Sequence, residues 1–370
     1  MEPPLAEDVP PFGRFFLPGP TEVHPDVLRA QVRAVIGHRG PAIKELIGEL
    51  QAGLKDVFRT DSPVMISTSS ATGLMEAAVR NGARSRVLSL VNGAFSERFA
   101  DIAEACGLEV DTLEVEWGQT VPADAVRGRL DQGEYDAVTV VHSETSTGAL
   151  NPLAEIAEAV HENDDVMLLV DSVTGVGGAE VLTDEWKLDF VLTGSQKALA
   201  LPPGLAFGVA SERLMDRSHV APHKGVYFDL QLFAKQLANL QTPTTPAVSL
   251  FYALAEQLRR IAVEGMVSRW ARHRTMAERC GQWVDAMRDE HGIGLSVLVA
   301  DGERSPTVTC VVLPEGLEGP AVVAGMKDRG FVIGGGYGKL KNTSFRIGHM
   351  GDHTLEELEA VLEALEEVLT

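Results

Sequence analysis

The chain has 370 residues, 45% hydrophobic and 6% aromatic, with 32 Lys and Arg against 53 Asp and Glu and a formal net charge of -21. This length predicts one large domain plus a smaller one, and this composition a packed core rather than disorder. The acidity argues against nucleic acid or an anionic membrane as partner, because a basic footprint is missing, and apolar runs such as VMLLV are far too short to span a bilayer.

Residues 1–15, which include MEPPLAEDVPP, read as an extended acidic arm and as neither a signal nor a transit peptide. PGPTEVHPDVLRAQVRA opens a helix with Pro25 near its first turn. An amphipathic helix follows, its apolar stripe at Ile43, Leu46, Ile47, Leu50 and Leu54. Strands and helices then alternate. PVMISTS, RVLSLVN, EVDTLEV and AVTVVHSE read as strands, and SATGLMEAAVRNG, SERFADIAEACG, PADAVRGRL and LAEIAEAVHEN as helices. VMLLVD, FVLTGS and LAFGVAS are three further strands. Near-continuous β-branched and Leu runs mark an α/β fold whose mostly parallel sheet is covered on both faces. The last two strands are joined by a short two-proline loop, which predicts an antiparallel pair. Two long helices, roughly 247–263 and 265–290, then lead into a smaller α/β unit with strands TVTCVVL, GFVIGG and SFRIGH and a final helix. The division expected is therefore an arm over 1–15, a large domain over 16–262 and a small C-terminal domain over 263–370.

Cys106, Cys280 and Cys310 are odd in number and scattered, which suggests a reducing compartment, here the cytoplasm, and no metal spacing. Chemistry converges elsewhere. In open parallel sheets ligands sit beyond the carboxyl ends of the strands. Five such tips are polar here: Thr68–Gly73, Asn92–Phe95, His142–Gly148, Asp171 and Gly194–Lys197. STSSATG opens a helix whose free N–H groups make an anion seat, with the Ser70 and Thr72 hydroxyls at hand. It lacks the P-loop spacing. Asp171 ends an apolar strand, and a buried carboxylate there requires a cationic partner. Lysines number nine in the whole chain, and Lys197 is the only charge in TGSQKALALPPG. A lysine, a carboxylate and an anion seat suit pyridoxal 5'-phosphate (PLP): an aldehyde for a Schiff base, a ring nitrogen to keep protonated, and a phosphate. Phe95 can lie against the ring.

PGPTEVHP, SSATGLMEAAV, LVNGAFSERF, HSETSTGALNPL, VDSVTGVGG, TGSQKALALPPGLAFGVAS, TPTTPAVSLFYAL and FRIGHMGD occur in the order of the class V aminotransferases. The chain resembles most their alanine–glyoxylate and serine–pyruvate (serine–glyoxylate) branch. The resemblance implies a fold-type-I PLP transaminase with a seven-stranded large-domain sheet, acting as a homodimer with active sites at the interface. Its substrates would be a small amino acid such as alanine or serine and a 2-oxo acid such as glyoxylate or pyruvate. Lys197 would carry the Schiff base and the proton, and Asp171 would pair with the pyridine nitrogen. Phe95 would take the stacking position, often tryptophan in the family. Ser70, Ala71, Thr72 and Gln196 would hold the phosphate, and Thr145 or Ser146 the phenolic oxygen. Thr244 would reach the neighbouring subunit's phosphate, without the tyrosine that many relatives place before it. Arg346 would bind the substrate carboxylate as a bidentate guanidinium.

Arg39 reads as a helix-start residue with solvent partners, His223 as a structural histidine, and the Gly-rich stretch 334–342 equally as a lid or a hairpin turn. Two other enzyme readings share the cofactor: 2-aminoethylphosphonate–pyruvate transamination and a cysteine desulfurase or related lyase. A non-catalytic PLP-binding module is the reading outside enzymology.

Overall fold

The computed structural model of the protein describes residues 12–222 and 224–370. Its strands, in chain order, are β1 (Phe15–Phe16), β2 (Met65–Ser67), β3 (Arg86–Val91), β4 (Glu109–Glu114), β5 (Ala137–Val141), β6 (Ser143–Glu144), β7 (Ala149–Leu150), β8 (Met167–Asp171), β9 (Phe190–Gly194), β10 (Ala206–Ala210), β11 (Ser296–Val297), β12 (Val308–Val312), β13 (Val332–Gly335) and β14 (Ser344–Gly348). Seven of these form one sheet in the order β2-β10-β9-β8-β5-β3-β4. The β3/β4, β3/β5, β5/β8 and β8/β9 pairs are parallel. β10 runs antiparallel to both β9 and β2, because residues 195–205 are too few for a helical crossover.

Every residue of β5, β8, β9 and β10 is buried, as their unbroken apolar runs require of a sheet covered on both faces. The period of two is plain in β8. Leu168 and Val170 pack on one side with Ile43, Leu50, Ile156 and Phe251, whereas Met167 and Leu169 pack on the other with Leu74, Phe99 and Leu214. The first side is built by helices Pro41–Phe58, Leu153–His161 and Val248–Glu264. Leu50 is fully buried there, and truncation to Ala would cost about 2–5 kcal/mol through lost transfer energy and an unfilled cavity. Helix Pro41–Phe58 starts at a proline whose missing N–H is not needed, and stops where Arg59 turns left-handed at φ 53°.

A second sheet has the order β1-β13-β14-β12-β11. Helices Met266–Asp289, Gly319–Asp328 and Leu355–Leu369 cover it, and Phe16, Met276, Val322, Phe345 and Leu358 share its core. The last helix begins in a reciprocal cap between Thr354 and Glu357. Phe15 and Phe16 pair parallel with Val332 and Ile333, so the start of the described chain belongs to the second sheet although the sequence placed residue 16 with the large domain. The segment then crosses back. A Cβ on Gly348 would sit 2.3 Å from Leu17 O, and one on Gly334 2.6 Å from Pro18 Cδ. Leu17–Gly19 is thus wedged between the second sheet and the carboxyl edge of the first. Among the described residues no helix is long and apolar enough to cross a membrane.

Candidate active site

Lys197 lies in the loop after β9 and is 9% exposed. The loop is fixed by its own hydrogen bonds: Ser195 Oγ donates to Pro202 O and accepts from Leu205 N–H, and Ala200 N–H returns to Lys197 O. From the small unit, Arg269 donates to Ala198 O and Gly177 O, at 2.9 and 3.1 Å. Lys197 Nζ donates to Pro18 O at 2.7 Å. The backbone passes so close that a Cβ on Gly19 would lie 2.1 Å from Nζ, and φ is +124° there, so only glycine fits. Burial, and then the Arg346 guanidinium, push the ammonium down from 10.5 to about 8.

Asp171 ends β8 and is 3% exposed. Among the described residues its carboxylate accepts one hydrogen bond, from Val173 N–H at 2.8 Å. Burial raises its pKa from 3.8 to about 7; the Val173 N–H opposes this most, and Lys197 opposes it less. Lys197 and Asp171 therefore feel each other's charge, but no ion pair joins them. Behind Asp171, His142 Nδ1 is 3.0 Å from Ser172 Oγ, and burial lowers its pKa to about 4, which keeps it neutral.

A third buried charge, Glu144, has its carboxylate filled. It accepts from Phe95 N–H, Ser96 N–H, Ser96 Oγ, Ser146 N–H and Ser146 Oγ, the last at 2.6 Å. The carboxylate caps helix Ala94–Ala105 at its positive end. Phe95, on the first turn, is thereby held with its ring centroid 5.9 Å from Lys197 Nζ. Ser146 also accepts from Ala94 N–H at 3.1 Å, so its hydroxyl is committed to this cap. Thr145 faces the other way, with Oγ1 3.2 Å from Thr174 Oγ1 and its carbonyl accepting from Arg346 Nη1 at 2.9 Å.

Arg346, on β14, is 9% exposed and also donates through Nε to Gly335 O at 2.9 Å. Its guanidinium lies 5.4 Å from the ring centroid of Tyr337. The Gly-rich stretch is topologically a hairpin connection between β13 and β14, and it also delivers that tyrosine to the site. The Tyr337 ring is 5.6 Å from the Phe95 ring, and its hydroxyl is 3.4 Å from Arg98 Nη2.

Ser70 precedes helix Ala71–Gly82 in extended backbone, and its side chain makes no cap bond. The helix N-terminus is thus left free for an anion. Ser70 and Thr72 are exposed. Gln196 reaches back over the same edge: a Cβ on Gly194 would meet Gln196 Oε1 at 2.9 Å and the Ala71 methyl at 3.4 Å. Thr244 is exposed and shares a small hollow with Thr68 and Tyr227. Arg39 is exposed as well, but its partners are protein groups, Gln241 Oε1, Thr242 O and Pro243 O, rather than solvent alone. His223 lies outside the described residues. Cys280 and Cys310 are buried, with thiols pushed up to about 12 and about 11, and burial raises Cys106 too. All three stay protonated near neutral pH, unlike the thiolate a desulfurase requires. Among the described residues no group of three or more His, Cys, Asp or Glu could hold a metal ion.

Sequence reasoning assigned no role to Glu144, Arg98 or Tyr337. The signal for Glu144 was a carboxylate alone in the Ser/Thr-rich tip HSETSTG, and for Arg98 its place one turn after Phe95. Nothing in the sequence singled out Tyr337 within its loop.

Known proteins resemble this chain over nearly its whole length. An uncharacterized aminotransferase of Methanocaldococcus jannaschii is 39% identical over 356 residues, covering 95% of this chain and 91% of the relative. An L-aspartate–glyoxylate aminotransferase of Paracoccus denitrificans is 33% identical over 92% of this chain and 86% of its own. The crystal structure of an alanine–glyoxylate aminotransferase from Nostoc sp. superposes with a TM-score of 0.90 at 32% identity, covering 99% of this chain and 97% of the other. The family model "Aminotransferase class-V" matches residues 26–337, and the chain belongs to that family: it is an aminotransferase of fold type I.

Proposed function

We propose that the chain moves an amino group from a small amino acid, such as alanine or serine, to a 2-oxo acid such as glyoxylate or pyruvate, using PLP bound at Lys197. One observation carries the reading: Lys197 and Asp171 are both buried, both shifted toward neutrality, and left without a counter-ion in contact. Buried charge in that state is costly unless a ligand completes it. The donor set fits PLP. Lys197 offers an amine to an aldehyde, Asp171 a carboxylate to a ring N–H, and Phe95 a flat face. The open N-terminus of helix Ala71–Gly82, with Ser70, Thr72 and Gln196, offers donors to a phosphate.

When bound, the cofactor supplies an electrophilic carbon and an electron-withdrawing ring cation. The protein does the rest. Lys197, with a pKa near 8, is partly neutral at physiological pH, so its amine can take the proton from the substrate's α-carbon and return it. With the cofactor bound, a pyridine N–H would favour the anionic form of Asp171, which would hold that proton in place. Arg346 fixes the substrate carboxylate and thereby aims the α-carbon bond. Thr145 accepts from Arg346 through its carbonyl, and its hydroxyl, 3.2 Å from Thr174 Oγ1, would serve the ring oxygen on turning from that partner. A homodimer completes this reading, with Thr244 of one copy reaching the phosphate in the other. The exposed apolar residues Val32, Val35, Val226 and Leu240 suit such a contact.

The test is direct. Purified protein loaded with PLP should show visible absorbance that single amino acids remove and glyoxylate restores. A protein that never binds the cofactor, or whose absorbance ignores every amino acid, overturns the reading.

A further inference from the structure

Arg98 is half-buried, and its guanidinium sits 4.9 Å from the Phe95 ring centroid with Nη2 3.4 Å from the Tyr337 hydroxyl. Among the described residues no carboxylate pairs with it, in a chain that has 53 acidic residues against 32 basic ones. Its neighbour Glu97 is exposed on the helix surface. Its charge nevertheless acts on both Lys197 and Asp171. Arg346 is in the same position: its hydrogen bonds go to the carbonyls of Gly335 and Thr145, and it packs against the same Tyr337 ring. Two guanidiniums thus flank one phenol at the mouth of the site.

The charges of the site do not balance. Lys197, Arg98 and Arg346 are three cations against two carboxylates, Asp171 and Glu144, and the Glu144 oxygens are already occupied by five donors from the backbone and two serines. A monocarboxylic amino acid occupies one guanidinium and leaves the other unpaired. A donor with a second carboxylate three or four carbons from the first satisfies both, and guanidinium binds carboxylate in a planar, bidentate fashion. We infer that Arg98 is a specificity-determining residue that receives the side-chain carboxylate of an aspartate-sized dicarboxylic donor, with Tyr337 orienting it. The inference rests on the transamination reading and narrows its donor.

The loaded enzyme is mixed with L-aspartate or L-alanine, and the second-order rate of loss of visible absorbance is recorded. Aspartate should be faster by about tenfold or more, the factor expected of one hydrogen-bonded charge contact. In Arg98→Gln the aspartate-to-alanine ratio should fall by a similar factor; an unmoved ratio overturns the inference. Calorimetric titration of the loaded enzyme with succinate and propionate, which have no amine to transfer, gives a second readout. Succinate should bind more tightly, and Arg98→Gln should weaken succinate about tenfold more than propionate. Equal weakening overturns the role of Arg98. If the variant fails to fold, the wild type still decides, because equal rates for the two amino acids with equal binding of the two acids defeats the proposal. A protein whose absorbance ignores all amino acids defeats the transamination reading instead, while the titrations still report on Arg98.

Discussion

The carboxylates of Asp171, a residue 3% exposed, and Asp352, whose side chain is 6% exposed, are both largely out of water, and they differ in their partners. Asp352 is saturated. Arg269 Nη1 lies 2.9 Å from Oδ1, Gln257 Nε2 donates to the same oxygen at 2.9 Å, and Arg260 Nε stands 3.4 Å from Oδ2. Burial alone would raise its pKa, but Arg269, Gln257 and Arg260 together hold it below the ordinary value. Asp171 has one backbone N–H and a distant lysine, and its pKa rises to about 7. The protein could neutralise a buried acid and did so at the joint between its two sheets. At Asp171 no described side chain does so, and the proposed cofactor's ring nitrogen would. Burial therefore does not mark the functional charge; incomplete pairing does.

The largest expected effect removes the amine. Lys197→Ala should abolish the visible absorbance of the loaded protein and cut turnover by roughly a thousandfold or more. Wild-type spectrum and rate would break the comparison at its functional end. At the structural end, Asp352→Ala should lower stability by about 1–3 kcal/mol in urea unfolding, since it leaves the buried Arg269 with Glu264 as its remaining carboxylate partner. The cofactor-binding spectrum should survive under native conditions.

The pH dependence separates the two acids by sign. Asp171 holds its proton more tightly folded than unfolded, so its contribution to stability falls as pH rises from about 4 to about 7. Asp171→Asn should consequently stabilise the cofactor-free protein at pH 8, by at most about 4 kcal/mol, and not at pH 4. Asp352 runs the other way: its contribution is present above the ordinary carboxylate range and is lost as pH falls through its depressed folded value. Urea midpoints at the two pH values read both. The smallest effect is expected of Gly19→Ala. Its strained φ should cost about 1–3 kcal/mol, and a methyl group at that point should dim the visible absorbance by displacing Lys197. An unchanged spectrum would show that the Pro18–Gly19 segment does not hold the amine in place.

Much of this was legible beforehand. The helix Pro41–Phe58 follows from a stripe at Ile43, Leu46, Ile47, Leu50 and Leu54, and the antiparallel β10 from the shortness of its loop. Lys197 and Asp171 stood out because each is a lone charge at the end of an apolar strand, and burial of the strand fixes burial of the charge. The helices Glu212–Val220, Leu230–Leu237 and Gly319–Asp328 were not read, although the equally short Ala123–Leu130 and Leu153–His161 were. Ser146 illustrates a different limit. Its hydroxyl chemistry is visible in HSETSTG, but the neighbouring Glu144, and not the sequence motif, determines where that hydroxyl points.

The amino-acid sequence by itself determined what is periodic or local: the alternating sheet and helices, the apolar faces, the strand tips at which polar residues gather, and the motifs that resemble one enzyme family. The tertiary structure alone decided which of those groups are neutralised. Pairing depends on chain segments far apart in sequence, as when Pro18 O meets Lys197, Arg269 meets Asp352, and Arg98 and Arg346 meet across Tyr337. Electrostatic energy in a low-dielectric interior is set by such distances, and no spacing along the chain encodes them.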